Sequence, residues 1–539
     1  MQPTTRVQTD GVVYTPEALA RLLVAEALSD LKDAWVLDPA CGAGALLAQA
    51  QVLGCSPARL CGVDIDPGAL AQARDRLGEQ AQLVQGDGLT LDLGEAFPEA
   101  CAQGGFDAVV ANPPYVRQER LGGRKDPLRG RFRAFHGAAD LYVFFLERGL
   151  EALRPGGRLA VVVPNKWLRV GYGAALRQLL AREATIERLV DFGHAPLFRG
   201  SDAFPSVLVL RREPPARRAM VAVSEVPRAA DGSLRARIEA HAHPVPQARW
   251  GRGPWRLEPE PLARLLDRIA ERGTPLAQVL GSPVRRGVLT GFNAAFVVDR
   301  PTRDALVARD PRSAERLHPV ARGRDLGRWA VTPPDHFLID ARRGFDVDRY
   351  PAIRDHLLPF RARLTPRQPG AGGPGRKPGR YRWCELQDTT AYWSVFEGPK
   401  LVHSDIAWRP AFGWSPEPLV VLNTAYVWPT RDLFLLGVVN SPVLWAWMWR
   451  RATHAKDEAL RLIRSFIETL PIPDPPEPLR RDVADAVAEL CAGAAGARAE
   501  VLEARVTQGV IRAFELDDED VKLLSRTAPP RMPGALSWR

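Results

Sequence analysis

Apolar residues in this chain fall into short β-branched runs, separated by stretches in which apolar positions recur every three or four residues. The runs at 35–38 (Trp-Val-Leu-Asp), 59–65, 81–87, 106–112, 158–164, 186–192 and 206–212 read as strands. Segments 16–28, 68–77 and 172–182 carry helical spacing. Strands alternating with helices predict an α/β, doubly wound domain. Thr15 stands where a helix cap belongs, with Pro16 in the first turn. Between 213 and 260 the pattern dissolves into Pro, Arg and irregular runs, so the first domain is expected to end there.

The second part, about 250–470, mixes short strands with turns and holds most of the tryptophans. Its most irregular piece is Thr365 to Arg380, a loop rich in Gly, Pro and Arg. The most apolar stretch, Leu433 to Trp449, is interrupted by Asn440-Ser441-Pro442 and is too short to span a bilayer. A Pro-rich segment at 471–478 leads into a helical tail over about 479–525.

Composition changes this picture only in places. With 46% hydrophobic and 25% charged residues in 539, the chain is ordinary globular material. Six cysteines without a C-x-x-C pair predict neither a disulfide scaffold nor structural zinc, and the nine histidines show no metal spacing. His194 and His403 read as structural or as facing a bound partner. The first residues lack the apolar core of a signal peptide, so a soluble cytoplasmic protein without membrane contact is expected. Charge is more telling. Residues 1–215 hold 24 Lys+Arg against 25 Asp+Glu, whereas the remainder holds 49 against 38. A basic second part suits a polyanion. Only seven of the 73 basic residues are lysine, however, so compositional bias accounts for some of the arginine.

The candidate chemistry lies at the strand ends. Val36-Leu37-Asp38-Pro39-Ala40-Cys41-Gly42-Ala43-Gly44 is a strand closing on a carboxylate, followed by a Gly turn that opens a helix. It is neither G-x-G-x-x-G nor a P-loop. Asp64, about 20 residues on, suits the two hydroxyls of a ribose, and Gly86-Asp87-Gly88 offers a carboxylate for an adenine amino group. Asn112-Pro113-Pro114-Tyr115 follows the fourth strand. Its prolines hold the loop rigid, setting an amide oxygen, a proline carbonyl and an aromatic face around one small volume. Those groups suit a planar exocyclic amine; a plain Asn-Pro-Pro turn is the competing reading. The run Arg117 to Arg133, with seven basic and two acidic residues, reads as a phosphate-gripping loop or a solvated one.

With these motifs in this order, the chain resembles the gamma class of DNA amino-methyltransferases from restriction–modification systems, the TaqI-like adenine-N6 enzymes with a C-terminal specificity domain. The resemblance implies a Rossmann-like methyltransferase fold with a seven-stranded, mostly parallel sheet over 1–245. A mixed α+β target-recognition domain over 246–475 and a helical tail over 476–539 would follow. It also implies S-adenosyl-L-methionine as cofactor, bound by Tyr14, Thr15, Pro16, Asp38, Pro39, Ala40, Cys41, Gly42, Gly44, Asp64, Ile65, Asp87, Gly88 and Asn112. Asn112, Pro113, Pro114, Tyr115 and an edge-on aromatic, Phe198 or alternatively Phe204, would take the flipped base. Further resemblance lies in Arg286 to Phe296, Arg322-Gly323-Arg324-Asp325, Pro399-Lys400-Leu401, Val439-Asn440-Ser441-Pro442 and Leu470-Pro471-Ile472-Pro473.

The activity so implied is methyl transfer to the N6 amine of an adenine in double-stranded DNA, by a bacterial or archaeal cytoplasmic monomer. No metal is called for. A separately encoded restriction endonuclease would be the companion, because the chain opens almost at the cofactor motif and offers no acidic-x-Lys strand for a nuclease. No Pro-Cys occurs, which argues against carbon-5 cytosine methylation. A protein-glutamine or rRNA amino-methyltransferase, and a non-catalytic DNA specificity subunit, are the alternatives.

Overall fold

The computed structural model describes residues 15–529, apart from 30, 32, 117–125, 196, 199–203, 229, 333–334 and 371. Two compact units divide between Ala263 and Arg264.

In the first unit the chain runs α1 (Glu17–Leu28), β1 (Val36–Asp38), α2 (Ala45–Val52), β2 (Leu60–Asp64), α3 (Pro67–Leu77), β3 (Gln82–Gln85) and β4 (Phe106–Ala111). It continues through α4 (Tyr142–Ala152), β5 (Leu153–Pro164), α5 (Ala174–Glu183), β6 (Thr185–Asp191), β7 (Pro205–Arg211), β8 (Met220–Glu225) and β9 (Ala242–Pro246). The strands form one sheet in the order β3-β2-β1-β4-β5-β7-β6-β8-β9. β7 runs antiparallel to both β5 and β6, and β9 antiparallel to β8; every other pairing is parallel. The strand pleat explains the two cores. Leu37, Val109 and Ala111 enter one apolar cluster. Val36, Ala108 and Val110 enter the other, with the Leu19, Leu23 and Val24 stripe of α1.

The doubly wound expectation holds, and all seven expected strands are present. The sheet has nine strands rather than seven, because β8 and β9 lie in the Pro- and Arg-rich stretch read as a boundary. The first unit also continues past 245. Gln247 is buried, accepting from the Ile186 amide at 2.9 Å and donating to the Ala184 carbonyl at 2.7 Å. The buried Arg177 guanidinium donates to the carbonyls of Trp167, Val170, Arg252 and Gly253, while Trp255 packs edge-on against Trp167 at 5.1 Å. Such side-chain capping of irregular backbone leaves no hydrophobic periodicity to read. Thr15 is not the cap of α1 either. Pro16 occupies the N-cap position without a side-chain bond, and the Thr15 hydroxyl faces Asn112 instead.

The second unit carries a five-stranded sheet, ordered β10-β14-β12-β13-β11, from β10 (Arg285–Arg286), β11 (Trp329–Ala330), β12 (Lys400–Ser404), β13 (Phe412–Ser415) and β14 (Ala425–Trp428). A four-stranded sheet from 297–299, 317–321, 336–339 and 420–421 shares its core. The apolar stretch divides as its interruption predicts, into α6 (Leu433–Asn440) and α7 (Pro442–Arg451), and the Ser441 hydroxyl caps α7 by accepting from the Leu444 amide at 3.2 Å. Asn440 is buried and exchanges two bonds with the Phe412 backbone, at 3.1 and 2.9 Å. α8 (Glu477–Cys491) and α9 (Gly496–Ala513) pack together and against α6 through Val483, Val487 and Val506. Among the described residues, no helix is long and apolar enough to cross a membrane.

Candidate functional site

The sheet order β3-β2-β1-β4 places a topological switch between β1 and β4, where the chain has turned back to the other side. In parallel sheets the crevice outside such strand ends is where ligands bind, because adjacent connections leave in opposite directions. Asp38, Asp64, Asp87 and Asn112 stand at or just past the carboxyl ends of β1, β2, β3 and β4. Side chains from four separate sequence stretches thus share one edge.

The turn after β1 is held by that edge itself. Asp64 accepts from the Gly42 amide at 2.8 Å through one oxygen and from the Asp66 amide at 2.9 Å through the other. A carboxylate has about four acceptor directions, so capacity for two further donors remains. Asp38 is 2% exposed and accepts from the Ala40 amide at 3.1 Å. Burial, with the Asp64 charge adding to it, pushes its carboxyl up to about 8. Gly88 lets two strand-end turns meet: a Cβ there would lie 1.9 Å from the Pro39 carbonyl oxygen, so no other residue fits. Asp87 accepts from the Leu89 amide at 3.0 Å and faces solvent. Beside these carboxylates, Ile65 is 64% exposed, an apolar face left open among the described residues.

Around Asn112 the arrangement is different. Its Nδ2 donates to the Thr15 hydroxyl at 3.0 Å, which ties the loop after β4 to the residue before α1. Pro113 is buried. The Tyr115 hydroxyl donates to the Val162 carbonyl of β5 at 3.3 Å, and burial raises its phenol pKa. The Tyr115 ring meets Phe198 edge-on, centroids 6.3 Å apart. Phe204 packs on His194 at 4.6 Å instead. Tyr14 lies outside the described residues. The Cys41 thiol, buried in the core with its pKa raised by burial, donates to the Gly42 carbonyl of the turn at 3.7 Å.

Two residues that the sequence reading missed, Arg148 and Glu147, brace this region together with Arg131 of the basic run. Arg148 of α4, 8% exposed, donates to the Gly88 carbonyl at 3.2 Å and the Leu91 carbonyl at 2.6 Å, and Arg131 donates to the Leu89 carbonyl at 2.9 Å. Three carbonyls of the turn after Asp87 therefore rest on two guanidiniums. Glu147, fully buried, accepts from the amides of Arg133 and Ala134, both at 2.8 Å. A Glu-Arg pair following the apolar run Tyr142–Leu146 inside the Tyr142–Ala152 helix was the available signal. These contacts correct the phosphate-gripping reading for part of 117–133. Arg131 gives its Nε to the Leu89 carbonyl, and Arg133 pairs with Glu147 and Glu183. Residues 117–125 lie outside the described part.

In the second unit the recurring motifs resolve into packing. His403 is buried between Trp428, whose Nε1 donates to its Nδ1 at 3.0 Å, and the Leu462 carbonyl at 3.0 Å; burial lowers it to about 4. It is structural. Lys400 is buried too, donating to the carbonyls of Gly398 and Glu417 at 2.6 and 2.8 Å, with burial lowering it to about 8. Arg322 and Asp325 close a reciprocal capping pair, and Pro471–Pro473 form a strand paired with Gly273–Pro275.

Residues 70–198 match the family described as Eco57I restriction-modification methylase. That span includes Asp87, Asn112–Tyr115 and Phe198, while the β1 turn and Asp64 precede it. The chain is 27% identical to the type II methyltransferase M.PaeR7I of Pseudomonas aeruginosa, over 75% of this chain and 70% of the relative. It is 26% identical to the type II methyltransferase M.XhoI of Xanthomonas vasicola, over 76% and 77%. Among solved structures it is similar in fold to the type IIL restriction-modification enzyme MmeI, with a TM-score of 0.61 and 14% identity over 96% of this chain and 73% of that one. Over residues 70–198 the chain is thus similar to the Eco57I-type restriction-modification methylases, on a Rossmann-like sheet.

Proposed function

We propose that the chain is a site-specific DNA methyltransferase that modifies the N6 amine of an adenine swung out of duplex DNA, as the modification activity of a restriction–modification system. The observation that carries this reading is the convergence of three carboxylates and one Asn-Pro-Pro-Tyr loop on a single sheet edge. The edge fits S-adenosylmethionine on its own chemistry. Asp64 retains acceptor capacity for vicinal hydroxyls, Ile65 offers a flat apolar face for a purine, and Asp87 can accept from an exocyclic amine. Asp38 is a buried carboxyl whose ionised form a neighbouring ammonium would favour. When bound, the cofactor supplies a sulfonium-activated methyl group.

The chain's own residues do the rest. The Asn112 side-chain oxygen and the Pro113 carbonyl accept the two N–H bonds of the target amine, drawing electron density back onto its nitrogen. Thr15, by accepting from Asn112 Nδ2, sets which way the amide is turned. Tyr115 and Phe198 wall the base pocket; their mutual contact supports Phe198 over Phe204. Extruding the base costs a few kcal/mol of stacking and pairing, which this pocket offsets. A cytoplasmic monomer with a separately encoded endonuclease completes the proposal.

Purified chain, labelled cofactor and unmodified genomic DNA test it, with nucleoside analysis and single-molecule sequencing of the product. N6-methyladenine within one sequence context is the expected result. Label in N4-methylcytosine, in RNA or in protein would overturn the adenine-DNA reading, and no label at all would favour a non-catalytic subunit.

A further inference from the structure

We infer that the Arg361–Arg380 segment of the second unit is a phosphate-gripping surface for duplex DNA, ordered from within by the buried side chain of Arg376. The inference rests on the proposed function and adds to it the residues that grip. Between His356 and Cys384 the chain carries seven basic residues and no acidic one. Flanking arginines are neutralised in the ordinary way: Arg309 by Asp355, Arg342 by Asp340 and Arg382 by Glu385. Arg361, Arg363, Arg367, Lys377 and Arg380 have no carboxylate partner and no side-chain hydrogen bond among the described residues. The guanidiniums of Arg361 and Arg363 lie over the rings of Trp383 and Phe292, at 5.3 and 5.5 Å, contacts that consume no hydrogen-bond donor. A solvated face normally intersperses both signs. This one does not.

The described part of the segment is also built rather than loose. Its base is closed by the Arg367 amide donating to the Arg376 carbonyl at 3.0 Å, and the Arg376 amide to the Thr365 carbonyl at 3.1 Å. The Arg376 side chain, 4% exposed, donates to five carbonyls: Leu364 at 2.6 Å, Glu385 at 2.8 Å, Thr290 at 2.9 Å, and Arg382 and Trp383 at 3.1 Å each. Tyr381 lies against its guanidinium at 4.5 Å. The Thr290-Gly291 motif is shaped to admit it, because a Cβ on Gly291 would stand 2.6 Å from Arg376 Cδ. Burying a guanidinium is costly and is sustained only when its donors are satisfied. Here that cost orders a Gly- and Pro-rich stretch which has little else to order it. The effect is to preorganise five unpaired cations, and preorganised cations bind a polyanion without losing that conformational entropy on contact.

The ligand chemistry is the DNA backbone rather than base edges, so affinity and salt dependence should change while sequence preference should not. The test uses full-length protein and two duplexes, one carrying the modified site found by sequencing and one lacking it. In R363Q/K377Q/R380Q, the log–log slope of affinity against salt should become shallower by about 0.9 per lost phosphate contact, or about 2–3 in all. The affinity ratio between the two duplexes should stay within about 3-fold, because phosphate contacts carry no base information. A matched neutralisation of ion-paired cations, R481Q/R498Q/R512Q, should leave the slope in place. R376K keeps every exposed cation but cannot reach five carbonyls, and should weaken binding to both duplexes alike. An unchanged slope in the first variant, an equal change in the matched control, or a collapse of the ratio would each overturn the inference while leaving the proposed function standing. Wild-type protein without duplex affinity would overturn both.

Discussion

The carboxylate edge of the first unit and the cationic segment of the second are built by the same device for opposite ends. In each, a buried arginine satisfies the carbonyls of irregular, Gly-containing backbone: Arg148 those of Gly88 and Leu91, Arg376 those of five residues. What the ordered backbone then displays differs. The first displays Asp38, Asp64 and Asp87 at the ends of parallel strands, already engaged by backbone amides. The second displays cations with no acidic partner. The lesson is that arginine-rich composition is not a charge argument until buried arginines are separated from exposed ones. Arg148, Arg177 and Arg376 work inside the protein and give nothing to a ligand's phosphates.

Breaking the chemistry at the edge has the largest expected effect. Asn112→Ala should lower the methylation rate by about 10²–10³-fold, the scale of losing one preorganised polar contact to the reacting group, while cofactor affinity stays within a few-fold. Near-normal turnover in that variant would remove the amine-polarising role. Next, Asp64→Ala should weaken cofactor binding by about 1.5–3 kcal/mol, as hydrogen bonds to a charged group are lost together with the anchor of the Gly42 amide. Equilibrium binding of the cofactor decides this, and unchanged affinity would displace the ribose assignment.

The comparison of the two arginines is sharpened by exchanging their readouts. Arg148→Met should weaken cofactor binding by about 1–3 kcal/mol through two stranded carbonyls, with kcat at saturating cofactor little changed and partial rescue in Arg148→Lys. R376K should leave cofactor affinity alone. Cofactor affinity that fell equally in both would mean that each arginine merely supports global stability.

The last effect is in pH. The carboxyl of Asp38 is raised in the folded protein, chiefly by burial, to about 8 from an ordinary value near 3.8. Its contribution to stability is therefore full below about 4 and lost as pH rises through about 8. Without cofactor, the melting temperature should fall over that window, and Asp38→Asn should flatten the fall. Cofactor affinity should move the other way, rising towards pH 8 as the ionised form becomes available to an ammonium. A wild-type profile as flat as the variant's would refute the assignment.

Much of the first unit is legible from its periodicity because parallel strands buried on both faces are written as continuous apolar runs. β8 and β9 escaped because β8 is a short apolar run set between Arg218 and Pro227 and β9 carries two prolines, and only the pairing of β8 with β6 and of β9 with β8 gives them a place. At the site, Asp38, Asp64, Asp87 and Asn112 were readable since each directly follows a strand signal. Phe198 and Phe204 were not separable, as both follow the same strand and only packing sends one to Tyr115 and the other to His194.

What the sequence by itself determined was which residue types sit at which strand ends, because local φ/ψ preference and hydrophobic period act over a few neighbours. That covers the carboxylates, the rigid Asn-Pro-Pro-Tyr loop and the division of the apolar stretch at Ser441. Only the tertiary structure decided which polar groups were already spent. Thr15 turned from helix cap to Asn112 partner, Arg131 and Arg133 from a basic run to carbonyl and carboxylate contacts, and His403 to a buried packing residue. A hydrogen bond between residues nearly a hundred positions apart depends on how strands are ordered in the sheet, and that order arises from the burial of the whole core rather than from any one segment.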